Sequence, residues 1–438
     1  MKIAAVVLVV SVGCASPPAP APTPAPAPST PASRPSSVPP SISPAPSGTR
    51  AADSVRVARA KRDSAVVPPK APVRRAVASR PRSVRPSARN DTLATAELSG
   101  PVRVCAGGDV TLGTNLDREW SRLASKKLRT EFQRSDAPDS LIAPLRPLVE
   151  GADVVLLNVE SAIGSGASPS KCGKKSTNCY AFRSPVAAAY AIRDVARQQK
   201  VVGNVANNHS RDAGDDGRDT TIALLTRAGV LVTGSDTIAT PVPTPAGDTI
   251  GVLGFYTSAE SPDARDTAAV YRHVARAAAR YPIVIVTMHL GAEGIGAQRT
   301  RNASEIFLQI DRGNPIAFAD AAVRGGAALV VGHGPHVLRA LEWRERGALI
   351  AYSLGNLLTY GPFTLKEPLN RGAVLCATID RSGRVSEASL GSTMQLAPGV
   401  MQADSTHRAA ALVDSLGQLD FRGTGARAGS GGALKARP

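Results

Sequence analysis

From residue 101 onward, short apolar runs alternate with amphipathic stretches. The runs predict strands at 102–106 (VRVCA), 153–158 (DVVLLN), 201–206 (VVGNVA), 230–233 (VLVT), 249–255 (TIGVLGF), 283–288 (IVIVTM), 327–332 (AALVVG), 348–353 (ALIAYS) and 373–379 (AVLCATI). Several are unbroken and rich in β-branched residues, the pattern of strands buried on both faces. Between them, apolar positions at helical spacing predict helices over 186–199, 215–228, 267–280, 302–311 and 315–325. Such alternation argues for a layered α/β fold with helices covering the sheets. The last runs (348–353, 373–379, 384–390) have no long helix between them, so part of the sheet is expected to be mixed or antiparallel. A weak helix is expected over about 402–417, followed by a Gly/Ala/Arg tail expected to be disordered and irregular. No internal repeat is visible, and the folded domain is placed at 99–396, with 397–438 as helix and tail.

The polar residues that follow these runs carry the chemistry. Asp109 follows the first, Glu160 the second, and Asn208, His209 and Asp212 the third. His289 and Glu293 follow the 283–288 run, His333 and His336 the 327–332 run, and Asn356 the 348–353 run. In open α/β sheets the carboxyl ends of the strands face a shared crevice where ligands bind. Four of the six histidines fall in this set. Imidazole, carboxylate and amide oxygen together suit borderline first-row dications, so manganese, iron or zinc is expected, as one ion or two. A shared carboxylate can bridge two metals about 3.5–4 Å apart and clamp an in-line displacement at phosphorus. A nearby histidine outside the ligand set is then a candidate to protonate the leaving oxygen. Competing motifs are weak: there is no Gly-x-Ser-x-Gly elbow, and Gly173-Lys174-Lys175-Ser176 lacks the spacing and the preceding strand of a phosphate loop. Arg183 is a candidate to hold an anionic substrate group or to form a structural ion pair.

Composition separates this body from what precedes it. Residues 1–98 contain 14 Lys+Arg against 4 Asp+Glu, and 18 of the 35 prolines. They account for +10 of the net charge of +17. With so few aromatic or long aliphatic side chains this segment cannot offset the entropy of ordering, and 15–98 is expected to be a disordered linker. Its Ala-Pro repeats favour an extended spacer. Its Arg-rich second half either touches anionic lipid or wall polymer, or is a solvated spacer with no specific partner. The folded body keeps only a mild basic excess and has no Lys/Arg-dense helix interleaved with aromatics, so nucleic acid is not expected as a partner.

At the N-terminus, Lys2, an apolar stretch from Ile3 to Val12 and Gly13-Cys14 form a secretory signal over 1–14. The stretch is about half of what spans a bilayer. A cysteine in that place fits a lipoprotein signal with Cys14 acylated, although Ser11 departs from the usual pattern; simple secretion is the alternative. The expected location is therefore exported, in the cell envelope, lipid-anchored and facing the periplasm or the cell surface. In that setting Cys172 and Cys179, seven apart in a polar loop, are expected to form a disulfide. Cys105 and Cys376, inside apolar runs, are expected to be buried small hydrophobes.

The segments GGDVTLG (107–113), NVESAIG (158–164), FRSP (182–185), ANNHSRDAGDDGRDTTIALLTRAGV (206–230), HLGAEG (289–294), VVGHGPHVLRALE (330–342) and IAYSLGNLL (350–358) together resemble the CapA family. That is the poly-γ-glutamate capsule-synthesis (PGA_cap) family of the calcineurin-like metallophosphoesterase superfamily, and the resemblance spans about residues 101–360. It implies a four-layer α/β/β/α sandwich with a metal site at the strand ends. It further implies one metal site of Glu160, Asn208, His289 and His333, and a second of Asp109, Glu160 and His336. His209 would be the general acid, oriented by Asp212. Three departures stand out against the superfamily pattern. Thr111 occupies the histidine position of Asp-x-His, Glu160 replaces the bridging aspartate, and His333 and His336 are three apart rather than two. Glu293 and Asn356 lie near the site in motif terms, as substrate-side candidates.

Two functions follow. One is a metal-dependent phosphoesterase-type hydrolase acting on a phosphoester or an anionic polymer, associated with capsule or exopolymer synthesis or export. The other is a non-catalytic factor that binds or anchors an anionic capsular polymer alongside the capsule-synthesis machinery, for which the missing ligand at Thr111 is the physical motive.

Overall fold

The structure is a computed structural model and describes residues 98–113, 118–166, 180–196, 198–258, 262–361 and 365–436. The signal, Cys14, the linker and the Cys172–Cys179 pair lie outside the described residues. The chain divides into 1–86 and 87–438, and every described residue belongs to the second unit. Among the described residues no helix is long and apolar enough to cross a membrane.

Two sheets form the body. In the first, Val102–Thr111, Val154–Val159, Lys200–Asn204 and Leu231–Thr233 run parallel, with Arg371–Ile379 and Val385–Leu396 added antiparallel on the other side. In the second, Thr249–Tyr256, Val284–His289, Ala327–His333 and Leu349–Ala351 are parallel, flanked by antiparallel Thr240–Pro243 and Leu341–Trp343. Side-chain alternation sorts the strands into layers. Val102, Val104, Ala106, Val154 and Leu156 meet Val252, Ile285, Leu329 and Val331 between the sheets. The opposite face of the first sheet, through Cys105, Val155 and Leu157, packs on Leu128, Leu141, Ile192 and Leu225 of its helices. The outer face of the second packs Val286, Met288 and Val330 against Val270, Val274 and Phe318. Helix, sheet, sheet and helix thus form the four layers expected, and burial on both faces is why the strands read as unbroken apolar runs.

The helices begin and end where local chemistry allows. Asp266 accepts from the Ala269 N–H to open Thr267–Ala278, and Asn314 accepts from Ile316 and Ala317 before Pro315–Arg324. Gly229, at φ 87°, closes Gly214–Ala228.

Three sequence expectations are corrected. Residues 302–311 do not form a helix: Ile306–Phe307 and Ile310–Asp311 pair as a small antiparallel hairpin. Leu308 and Gln309 form its turn with positive φ, and Ile306, Leu308 and Ile310 point to solvent, so the apolar spacing has no core to serve. The tail is not irregular. After the helix Arg408–Asp420, Arg427–Ala428 and Ala433–Lys435 extend the first sheet, and Leu434 is buried, so the body continues past 396. Cys105 and Cys376 are not separate thiols; they stand opposite each other on adjacent antiparallel strands and form a disulfide. A register between residues 271 positions apart leaves no local trace in sequence.

Candidate metal centre

The parallel strands of both sheets end at one level and face each other. In the first sheet Asn204, Asn158, Asp109 and Asn356 stand side by side in register, and in the second Tyr256, His289 and His333 do so. Asp109 reaches this row through an irregular register after Ala106, where two glycines are sterically required. A Cβ on Gly108 would lie 2.0 Å from the Gly355 carbonyl oxygen, and one on Gly107 would meet Leu357. The Asp109 N–H donates to the Gly355 carbonyl, which ties the first ligand loop to the Asn356 segment.

An amide ladder joins the row. Asn204 and Asn207 donate to Asn158 Oδ1 at 2.9 and 3.2 Å, and Asn207 also donates to the Val159 carbonyl. Asn158 Nδ2 donates to Asp109 Oδ1 at 2.8 Å and lies 3.2 Å from His289 Nδ1, linking the two sheets. Sequence reasoning gave these asparagines no role. Their signal was a polar residue closing a fully apolar strand, as in DVVLLN and VVGN.

At the centre, Asp109, Glu160 and His289 are buried, with one ligand-type atom from each within 4.8 Å of the others. His289 Nε2 lies 3.7 Å from Glu160 Oε1, and His333 Nδ1 lies 3.6 Å from Asp109 Oδ1. His336 stands between the two carboxylates, Nδ1 3.1 Å from Asp109 and Nε2 3.6 Å from Glu160. It holds this place with φ 59°, a left-handed conformation costly for a residue with a Cβ. Asn356 clamps it, pairing Oδ1 with His336 Nδ1 at 3.0 Å and donating from Nδ2 to the His336 and Leu369 carbonyls. Glu293 faces His336 Nε2 at 3.8 Å and is gripped by Arg312 at 2.6 Å. Arg312 is buried and lies over the Tyr256 ring, whose edge meets His289. It lies between the two stretches read as helices, 302–311 and 315–325, so nothing in the sequence marked it.

The charges are frustrated without a counterion. Burial, reinforced by Asp109, pushes the Glu160 carboxyl well above its usual range. Burial also acts upward on Asp109, but the hydrogen bond and charge of His336, with His333 and His289, outweigh it and hold that carboxyl low. Burial pushes His289 well down and His333 down to about 4. His336 is driven up to about 10: burial opposes this, and Glu160, Asp109 and Glu293 overcome it. Glu160 Oε1, His289 Nε2 and both ring nitrogens of His333 are buried without a hydrogen-bond partner. Buried polar atoms are normally satisfied, and a bound cation would satisfy Glu160 Oε1, His289 Nε2 and one ring nitrogen of His333 while letting both carboxylates ionise. The residues present therefore fit a divalent metal.

The remaining candidates divide. His209 is buried beside this centre, its ring stacked 4.2 Å from Phe182 and its Nδ1 2.6 Å from Asp212 Oδ2. Asp212 also accepts from the Phe182 N–H. His209, Glu160, Glu293, His336 and Asn356 line one cavity of about 300 Å³. Asn208, adjoining His209, lines a neighbouring cavity of about 190 Å³ with Tyr256 and Ser258. Thr111 donates its hydroxyl to the Glu160 carbonyl at 3.2 Å. Arg183 donates to the Gly166 carbonyl at 3.1 Å and is not among the residues lining the larger cavity.

Several solved structures are similar in part. A crystal structure of a 5'-nucleotidase precursor from Thermus thermophilus aligns with 73% of this chain at 11% identity and a TM-score of 0.36, and this chain covers 59% of it. GAP50, the anchor in the inner membrane complex of Plasmodium, aligns with 66% of this chain at 10% identity and a TM-score of 0.29, with 88% of its own length covered. No curated protein matches the chain. Residues 103–360 match the bacterial capsule synthesis protein PGA_cap, a span that starts in the first strand and takes in Asp109, Glu160, His289, His333, His336 and Asn356. That span is more than half of the chain, and the chain belongs to the PGA_cap family.

Proposed function

We propose that this chain is an exported, envelope-tethered, metal-dependent hydrolase of phosphoesters that serves capsule or exopolymer synthesis or export. The observation that carries the reading is the cluster of Asp109, Glu160 and His289, with its buried, unpartnered ligand atoms. Manganese, iron or zinc bound there would polarise a phosphoryl oxygen and favour attack at phosphorus. Around that centre the chain's own residues orient and protonate. Asp212 fixes the His209 ring through Nδ1, so a proton delivered to a leaving oxygen departs from Nε2. Phe182 stacks on the same ring and limits its rotation. Glu293, anchored by Arg312, and Asn356 hold His336 against Asp109. Export draws support from the Cys105–Cys376 disulfide, since such cross-links persist in oxidising compartments.

A second reading has one observation behind it. The Thr111 hydroxyl is engaged by the Glu160 carbonyl and stands where the superfamily pattern has a histidine, which favours a binding or anchoring factor for an anionic capsular polymer over an enzyme. Metal analysis with turnover separates the two. The hydrolase reading expects at least one equivalent of metal and metal-dependent cleavage of an aryl phosphoester. His209→Ala should then lose about 10²–10⁴-fold in kcat while keeping its metal. Stoichiometric metal with no turnover, and polymer binding that survives chelation, would move the assignment to the anchoring role.

A further inference from the structure

The cavity in front of the metal centre is lined by two unlike sets of residues. One set is Glu160, His209, Glu293, His336 and Asn356; the other is Tyr180, Phe182, Phe307, Leu365 and Leu369. Among the described residues lining it, the charged side chains besides the imidazoles are the carboxylates Glu160 and Glu293. No Lys or Arg is among those lining residues, so a chain of carboxylates extending past the metal centre would find apolar carbon and no cation to pair with.

The hairpin that carries Phe307 exposes further apolar side chains. Phe307 sits on the 306–311 hairpin, and its chain neighbours Ile306 and Leu308 are 60% and 74% exposed. Ile310 on the same hairpin is 54% exposed, and Ile295, next to the cavity residue Gly294, is 72% exposed. Four exposed large aliphatic side chains within residues 295–310, two of them flanking Phe307 in the chain and Ile310 paired across from it, are not the scattered singles of an ordinary surface. Nothing in the packing of the body calls for them, because the hairpin adds nothing to the three cores.

From this we infer that the substrate is an amphiphile: a phosphoryl head that meets the metal centre, joined to an aryl or alkyl group that packs on Phe307, Leu365 and Leu369 and leaves across the hairpin. The identity of the head rests on the proposed hydrolase function; the apolar group rests on the cavity lining alone. A polyanionic occupant is the alternative that this inference rejects.

Equilibrium binding to the metal-loaded full chain tests it with three non-hydrolysable ligands that share one head: methylphosphonate, phenylphosphonate and octylphosphonate. Phenyl or octyl should bind at least about tenfold more tightly than methyl, the return expected for burying a ring or chain against apolar carbon. Preference for phenyl assigns an aryl group, and preference for octyl a lipid-like chain. Phe307→Ser and Leu369→Ser, both at half-buried positions, should each narrow the ratio several-fold with an unchanged melting temperature. His289→Ala should weaken all three ligands alike, which reports on the head and the hydrolase reading only. Equal affinities for the three ligands, or tighter binding of a short oligo-γ-glutamate than of phenylphosphonate, would overturn the inference. If no phosphonate binds, phenol and octanol still report on the cavity. Their binding retires only the hydrolase reading, and their failure to bind removes the apolar site as well.

Discussion

Two clusters of buried charge, one drawing on the loop after the Val284–His289 strand and the other on the last residue of that strand, are built on opposite terms. In one, Arg339 is fully buried and donates from Nη1 and Nη2 to the two oxygens of Glu305 at 2.8 and 2.7 Å. Its Nη2 also reaches the Ala292 carbonyl, and the Ala292 N–H donates back to Glu305, so only Arg339 Nε lacks a partner. In the other, Asp109, Glu160 and His289 sit close together, and Glu160 Oε1, His289 Nε2 and the ring of His333 find no hydrogen-bond partner. The first cluster closes on itself and pins a loop. The second presents lone pairs that positive charge of small radius would fit. Buried charge alone does not mark a site; buried charge with open lone pairs does.

The contrast can be broken by experiment. Glu305→Ala strands a buried guanidinium and should cost about 3–5 kcal/mol in urea unfolding. A loss below about 1 kcal/mol would mean that the pair does not organise its loop. Replacing both Cys105 and Cys376 by alanine should cost about 2–5 kcal/mol by the same measurement, and wild-type protein unfolded under reducing conditions should match it. Metal at a hundred times its dissociation constant should add about 2.7 kcal/mol to the wild type. Chelator should remove that increment, and His289→Ala should never gain it. The smallest effect is the most discriminating. Without metal, Glu160→Gln removes one of two adjacent buried carboxylates and should stabilise the protein by about 1 kcal/mol, while abolishing the stabilisation by metal. If Glu160→Gln is destabilising in chelator, the two clusters are alike and the comparison fails.

Much of this was legible in the sequence because the same strands that need apolar residues on both faces must stop being apolar where they meet solvent or ligand. Asp109, Glu160, His289 and His333 each follow such a run, and their convergence was readable from the alternation alone. What was not legible depended on contacts distant in the chain. The Cys105–Cys376 bond needs the register of two strands far apart. The pairing of Ala433–Lys435 with Val385–Leu396 needs an edge that the tail's composition does not announce. The 306–311 hairpin carries apolar residues at helical spacing, yet Leu308 and Gln309 take up a turn and the side chains face outward. Arg312 follows directly on that hairpin, and its grip on Glu293, nineteen residues back in the chain, needs the fold to be seen.

The bond between Cys105 and Cys376 joins the first long strand to one that follows nearly all of the site residues. Everything from Glu160 to Asn356 lies inside the covalent loop it closes. A protease that cuts once anywhere within that loop therefore yields two pieces that remain one molecule, and a nicked chain would run at full length on a gel until reductant is added. For a protein proposed to work outside the cytoplasm, where peptidases are present and chaperones scarce, the cross-link lets the strand-end centre outlast damage to the loops around it.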